Sequence, residues 1–280
     1  MSAIQAPSAL QISRIDFRHS STNPNSDPYP CRLYCTAIPP HGSVSAISTE
    51  ANTPLEPAAE EENNGRPKPD VLFTHGAGSQ LDNPSLDAFA EGLAGTHTVL
   101  CFEDQGSVQR RAATFKSLLD AFPSVTAFGG RSKGSVAAVE ASLNSNVKKL
   151  ILFSSPLSYK GSSDSGRDML QLPQDLLQLQ QDVEVLFIGG DRDELCLFED
   201  LAEIRKRMKA RSWWIQIEGA DHGIKFEMEK RRSVCEFVGK IAGKWLSGDV
   251  SAFRKSEKTA DVLVGWDESG KEFKSTLFED

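Results

Sequence analysis

The stretch Gly130-Arg131-Ser132-Lys133-Gly134 comes just after the apolar run of residues 125–128 and just before apolar residues that recur at helical spacing. This order predicts a strand that ends in a sharp turn and leads into a helix. The two glycines lack a Cβ atom, so the strand and the helix can approach closely. A serine on such a turn is held exposed at a helix N-terminus, and Ser132 is therefore a candidate hydroxyl nucleophile. An ordinary Gly/Ser turn is the alternative, and the predicted helix argues against it.

A serine hydroxyl needs a general base, and that base needs an orienting group. Among five histidines, His222 follows the apolar run of residues 213–217 and precedes a long amphipathic stretch. Asp191 and Asp193 follow the predicted buried strand 185–188. The order serine, aspartate, histidine is that of α/β-hydrolase triads. All three positions fall at the predicted carboxyl ends of strands, where the functional groups of open α/β sheets gather.

Each of these residues also has a structural interpretation. Asp191 and Asp193 could be turn residues, or could cap a helix that begins near Leu195. We favour Asp193 as the acid and His222 as the base. Asp221, beside the histidine, is expected to be a solvated turn residue.

The segment Thr74-His75-Gly76-Ala77-Gly78 follows the predicted strand 71–73. Acyl transfer builds negative charge on a carbonyl oxygen, and each preorganised N–H donor there contributes about 10²–10³ in rate. The backbone of Lys133 is expected to supply one donor, and the backbone of Ala77 (or Gly76) the other. The side chain of His75 is expected to hold this loop by hydrogen bonds.

Five short segments carry a family resemblance: His-Gly-Ala-Gly at 75–78, Gly-Arg-Ser-Lys-Gly-Ser at 130–135, Ser-Ser-Pro-Leu at 154–157, Asp-Glu-Leu-Cys at 193–196 and Ala-Asp-His at 220–222. Over about residues 70–247 the chain resembles the α/β-hydrolase-like family of testis-expressed protein 30 and NSL-complex subunit 3. The resemblance implies a dienelactone-hydrolase-like fold with Ser132, Asp193 and His222 at the triad positions, and it implies no substrate. At least one member is a subunit of a chromatin-modifying assembly, so a catalytically silent scaffold is the alternative function.

The alternation of strand and helix patterns from residue 70 onward predicts a mostly parallel sheet with helices on both faces. The predicted strands are 70–74, 97–102, 148–153 and 183–188 beside the one before Ser132, and the predicted helices lie near 84–94, 107–121, 195–209 and 225–246. Segments 8–19 and 30–38 are expected to form an antiparallel pair at the sheet edge. We expect one domain over residues 1–280, with a mobile acidic loop at 39–69, a minimal cap at 154–182 and a hairpin in the C-terminal extension 250–280.

Composition narrows the class of ligand. The 280 residues are 39% hydrophobic and 25% charged, with a net charge of −8. That charge argues against nucleic acid, whose phosphates require clustered Lys and Arg. The five cysteines include no Cys-x-x-Cys pair, and no histidine pair accompanies them to complete a metal site. We therefore expect free thiols, a reducing compartment and no metal. No secretory signal or membrane span is predicted, which favours the cytoplasm, with the nucleus left open.

These patterns together predict a serine hydrolase acting on a small ester, thioester or related acyl substrate, without a cofactor. Transfer of the acyl group to an acceptor other than water remains an alternative. The leucine-rich residues 170–179 favour an apolar substrate.

Overall fold

The computed structural model describes residues 9–17, 29–36, 54–55, 67–158, 170–251, 253 and 261–276. Its strands are β1 (Leu10–Phe17), β2 (Tyr29–Thr36), β3 (Pro54–Leu55), β4 (Val71–Thr74), β5 (Val99–Phe102), β6 (Ala127–Arg131), β7 (Lys149–Phe153), β8 (Glu184–Gly190), β9 (Arg211–Ile217), β10 (Val262–Asp267) and β11 (Glu272–Thr276). Its helices are α1 (Pro84–Leu93), α2 (Val108–Ala121), α3 (Lys133–Ser142), α4 (Leu172–Gln178), α5 (Phe198–Arg207) and α6 (Met228–Leu246).

These strands form one sheet in the order β11-β10-β9-β8-β7-β6-β4-β5-β2-β1-β3. The run from β10 to β5 is parallel, whereas β2 pairs antiparallel with both β5 and β1. The predicted α/β-hydrolase fold and its antiparallel N-terminal edge are thus confirmed. After β4 and β5 the chain crosses back to place β6 on the other side of β4. Ligands of open α/β sheets bind at such a reversal, outside the carboxyl ends of the strands.

Two apolar layers cover the faces of the sheet, because successive side chains of a strand point to opposite faces. On one face, Leu72, Phe128 and Leu150 pack with α2, α3, α4 and α5. On the other face, Phe73 and Ile151 pack with α1 and α6. The central parallel strands are buried on both sides, which explains why they read as short continuous apolar runs.

The leucine-rich stretch has a structural explanation. Leu172, Leu176 and Leu179 are each at most 2% exposed and belong to the core beside α3 and α5. They therefore give no support to an apolar substrate. Residues 159–169 of the predicted cap lie outside the described residues.

The structure describes part of the predicted C-terminal hairpin and part of the predicted mobile loop. The C-terminal hairpin is confirmed: β10 pairs antiparallel with β11 and parallel with β9. Within the predicted mobile loop 39–69, β3 pairs parallel with the end of β1, which its proline-rich and acidic composition did not indicate. Residues 39–53 and 56–66 of that loop lie outside the part of the chain that the structure describes.

Candidate active site

Ser132 occupies the turn between β6 and α3 with φ 51° and ψ −119°. A positive φ is strained for a residue with a side chain and costs about 1–3 kcal/mol. The flanking glycines permit the turn. A Cβ atom on Gly130 would lie 2.2 Å from the carbonyl carbon of Gly134, and one on Gly134 would lie 2.6 Å from the backbone oxygen of His75. Glycine is therefore sterically required at both positions for this turn to form.

The structure brings Ser132, His222 and Asp193 together. The Oγ atom of Ser132 lies 2.9 Å from Nε2 of His222. On the other side of the ring, Nδ1 lies 2.9 Å and 3.0 Å from the two carboxylate oxygens of Asp193. An ionised carboxylate can only accept, so Nδ1 carries the proton and Nε2 presents a lone pair to the hydroxyl. This is the geometry of an imidazole ready to take a proton from serine.

The neighbouring aspartates have other partners. Asp191 is exposed and accepts a hydrogen bond from the backbone N–H of Gly219 at 2.7 Å. Asp221 accepts from the N–H groups of Gly223 and Lys225, as expected of a turn residue. Asp193, only 2% exposed, also accepts from the N–H of Leu195 at 2.9 Å. The turn-forming role considered for Asp193 is thus real, and it coexists with the contact to His222.

The loop after β4 runs alongside the turn that holds Ser132. A Cβ atom on Gly76 would lie 3.3 Å from the Cβ atom of Ser132, so only a backbone without a side chain fits there comfortably. The next residue, Ala77, is exposed. Lys133, the other predicted backbone donor, is the first residue of α3 and is 9% exposed. The two segments predicted to supply N–H donors therefore both adjoin Ser132.

A buried polar network supports that loop, and sequence reasoning identified only its histidine. Nδ1 of His75 donates to the backbone oxygen of Gly76 at 2.7 Å, while Nε2 accepts from the N–H of Asp104 at 3.1 Å. Arg111 of α2, 1% exposed, donates from Nη1 to the backbone oxygen of His75 at 2.6 Å. Arg111 follows Val108 by three residues and precedes Phe115 by four, so its place on the buried face of α2 was readable from the spacing.

The profile of a family described as alpha/beta hydrolase domain matches residues 67–245, well over half of the chain. The chain belongs to the alpha/beta hydrolase family. This match contains every element that positions the residues described above. It ends before the C-terminal hairpin and begins after β3.

Solved structures show the same alpha/beta hydrolase fold at low sequence identity. Dienelactone hydrolase from Anabaena variabilis matches with a TM-score of 0.58 and 14% identity, covering 85% of this chain and 98% of that one. An esterase domain from a Rhodothermus marinus protein gives 0.56 and 13%, covering 85% and 97%. Est1E from Butyrivibrio proteoclasticus gives 0.53 and 13%, covering 80% and 95%. The dienelactone-hydrolase-like character expected of the fold is thus present among its structural neighbours.

Arg131, which sequence reasoning did not single out, links the nucleophile turn to the histidine loop of this hydrolase fold. Its Nη2 atom donates to the backbone oxygen of His222 at 3.0 Å. Burial lowers the pKa of the Arg131 guanidinium. A bulky cation next to Ser132 thus fixes the backbone of the histidine rather than pointing into solvent.

A depression of about 400 Å³ borders the outer side of the loop after β4. It is lined by residues 78–80, residues 82–84 and Gln105, a set dominated by polar side chains. Within the described ranges, no cluster of three or more His, Cys, Asp or Glu side chains is placed to hold a metal ion. All five cysteines lie within the described ranges, and none of them is in a disulfide there. The described helices are too short or too polar to cross a bilayer.

The buried imidazole of His75 should make the protein less stable in acid. Burial, followed by the cation of Arg111, lowers the pKa of His75 below its ordinary 6.5, and the carboxylates of Glu103 and Asp104 act in the opposite direction. The unfolded chain therefore binds a proton at this site at a pH where the folded protein does not. It follows that the free energy of unfolding falls as the pH drops below about 6.5.

Urea unfolding of the wild type and of His75→Asn at several values between about pH 7 and pH 5 checks this expectation. The variant should lose less stability on acidification than the wild type, because no imidazole remains at this position. His97, whose pKa is also lowered by burial, accounts for part of the remaining pH dependence. Equal slopes for the two proteins would contradict the expectation.

Proposed function

We propose that the protein is a serine hydrolase that cleaves a small ester, thioester or related acyl substrate through an acyl-enzyme intermediate. The observation that carries the proposal is the pair of 2.9 Å contacts that joins Ser132 to His222 and His222 to Asp193. A strained serine, an imidazole whose lone pair faces the serine hydroxyl and a buried carboxylate are the parts that activate a hydroxyl group.

In the proposed reaction, Oγ of Ser132 attacks the carbonyl carbon of the substrate while Nε2 of His222 takes the hydroxyl proton. The carboxylate of Asp193 holds the imidazole in place and stabilises its charged form. The backbone N–H groups of Lys133 and Ala77 bind the developing oxyanion. When the bond to the leaving group breaks, the imidazolium gives its proton to that group, and the acyl group remains on the serine.

The second half returns the enzyme to its starting state. A water molecule attacks the acyl carbon, and Nε2 of His222 takes one of its protons. The bond to Oγ then breaks, the serine recovers a proton from the imidazolium, and a carboxylic acid is released. Every proton transfer passes through one nitrogen atom, so these residues require no metal or organic cofactor. If another acceptor replaces water at this point, the same residues perform acyl transfer.

The proposed setting follows the predictions from the sequence. The partner is a small acyl substrate rather than nucleic acid or a membrane, and the location is the cytoplasm, with the nucleus left open. Membership of the narrower family of testis-expressed protein 30 and NSL-complex subunit 3 is part of the proposal, supported by the Gly-Arg-Ser-Lys-Gly-Ser and Asp-Glu-Leu-Cys segments. That family also motivates the alternative, a catalytically silent scaffold in a protein complex.

Labelling with a fluorophosphonate probe separates the enzyme from the scaffold. We expect the wild type to be labelled on the peptide that contains Ser132, and Ser132→Ala to remain unlabelled. Ser154→Ala is a matched control, because Ser154 also has a positive φ, of 47°, at the end of a neighbouring strand, and we assign it no role. Absence of labelling in folded wild-type protein would favour the scaffold.

A further inference from the structure

We propose that Arg111 and His75 are positioning residues that aim the backbone N–H of Ala77 at the carbonyl oxygen of the substrate. This inference rests on the proposed function, because an oxyanion donor matters only if acyl chemistry takes place. It adds two side chains that do not touch the substrate but determine where a backbone dipole points.

Arg111 is an unusual residue to bury. A guanidinium is costly to remove from water unless it is well paired. Burial lowers the pKa of Arg111 to about 10, and its Nε atom is buried with no hydrogen-bond partner among the described residues. Its Nη1 atom donates to a backbone carbonyl, that of His75, at 2.6 Å. A buried cation placed in this way is a poor source of stability, which points to a role in fixing the peptide whose carbonyl it holds.

That carbonyl belongs to the peptide that carries the N–H of Gly76. The following peptide, which carries the N–H of Ala77, is held in the same way: its carbonyl oxygen, on Gly76, accepts from Nδ1 of His75 at 2.7 Å and more distantly from Oγ of Ser79 at 3.4 Å. The described peptide bonds are all trans, so each N–H points away from the carbonyl of its own peptide. The two anchored carbonyls thus fix the directions of the two N–H groups.

Burial shows to which side the second N–H points. The imidazole of His75 is 1% exposed, so the carbonyl of Gly76 is directed into the protein. The N–H of Ala77 therefore points the opposite way, away from the buried imidazole, and a Cβ atom on the preceding Gly76 would lie 3.3 Å from the Cβ atom of Ser132. This selects Ala77 over Gly76 as the donor that His75 aims.

The imidazole is itself held on its far side. Nε2 accepts from the backbone N–H of Asp104, and the carboxylate of Asp104 accepts from the hydroxyl of Thr114 at 2.8 Å and from the N–H of Gly106 at 2.7 Å. The loops after β4 and β5 are thus joined through one neutral ring. A donor fixed in this way needs no reorientation as charge develops, which is the source of its catalytic value.

Two substitutions of His75 separate its two contacts. Asparagine places an amide near the position of Nδ1 and can still donate to the backbone oxygen of Gly76. Glutamine places its amide near the position of Nε2 and can still accept from Asp104, but it abandons Gly76. If the orientation of the Ala77 peptide matters, His75→Asn keeps more activity than His75→Gln. Arg111→Lys, which keeps a donor, should likewise keep more than Arg111→Met.

The measurement compares p-nitrophenyl acetate with its thionoester, in which sulfur replaces the carbonyl oxygen. Sulfur is a poor hydrogen-bond acceptor, so weakening the oxyanion donor should slow the oxygen ester more than the thionoester. We expect His75→Gln and Arg111→Met to lower kcat for the oxygen ester by about 10–100-fold, part of the 10²–10³ that a whole donor is worth, with little change in KM. The ratio of kcat/KM for ester over thionoester should fall with it.

Arg205→Lys is the control for stability alone, because Arg205 is a buried arginine beside Ser212 near the amino end of β9, the end of that strand opposite to His222. It should lower the melting temperature and leave the ratio unchanged. Variants of His75 and Arg111 that are folded and labelled by fluorophosphonate but keep the wild-type ratio would overturn this inference alone. A folded wild type that neither reacts with the probe nor hydrolyses the ester would overturn the proposed function, and this inference with it.

Discussion

Asp193→Asn should lower kcat for an activated ester by about 10⁴-fold while the protein stays folded. An amide N–H facing Nδ1 of His222 would repel the proton that this nitrogen now carries. The proton would move to Nε2, which lies 2.9 Å from Oγ of Ser132. Both groups would then be donors, and the base could no longer accept the hydroxyl proton. The loss comes from the wrong tautomer, not from misfolding.

Asp191→Asn is the matched control for this prediction. Asp191 lies two residues earlier and accepts from the N–H of Gly219 through Oδ1, an atom that asparagine also has. Its kcat should therefore stay close to that of the wild type. Initial rates with p-nitrophenyl acetate, together with melting temperatures, test both variants. Equal losses in the two, or a loss in Asp193→Asn below about tenfold, would contradict the assignment of Asp193.

Much of the fold and of the candidate site follows from local patterns. The glycines around Ser132 are predictable because a turn this tight has no room for a Cβ atom at Gly130 or Gly134. The aspartate and histidine are predictable because each follows a short apolar run, and parallel strands end at one edge of the sheet. Element boundaries were less exact: the helix predicted for 195–209 is α5, Phe198–Arg207.

The supporting residues were harder to predict, because their roles depend on contacts between distant segments. The spacing of Arg111 places it on the buried face of α2, but it does not show that the side chain reaches the loop after β4. Asp104 looks like an ordinary loop residue, and Arg131 belongs to the serine motif without any indication of its contact to the histidine loop. A charged residue at a core spacing of a helix is the one signal that could have been used, and of these three supporting residues Arg111 alone shows it.

Asp261→Asn should lower the free energy of unfolding by about 3–5 kcal/mol, the effect typical of breaking a buried ion pair by removing one partner. Asp261 is 1% exposed, and its Oδ2 atom lies 2.7 Å from both Nη2 of Arg205 and the backbone N–H of Trp214. Both contacts are accepted by one oxygen atom, which the amide oxygen of asparagine can replace, but the amide cannot supply the charge. The Arg205 guanidinium would stay buried beside a neutral group. Urea unfolding gives both the midpoint and the m-value.

Asp267→Asn, in the same hairpin, is the matched control, because Asp267 pairs with Lys274 on the surface. Its midpoint should hardly move, since exposed pairs contribute little.

The shape of the Asp261→Asn unfolding transition tests whether the hairpin belongs to the same domain as the rest of the sheet. The hairpin lies beyond residue 245, where the family match ends, yet β10 continues the sheet beside β9. If residues 1–280 form one domain, the variant unfolds in a single transition with the wild-type m-value. An early, separate loss of the hairpin would show instead that it is an independent addition to the hydrolase fold.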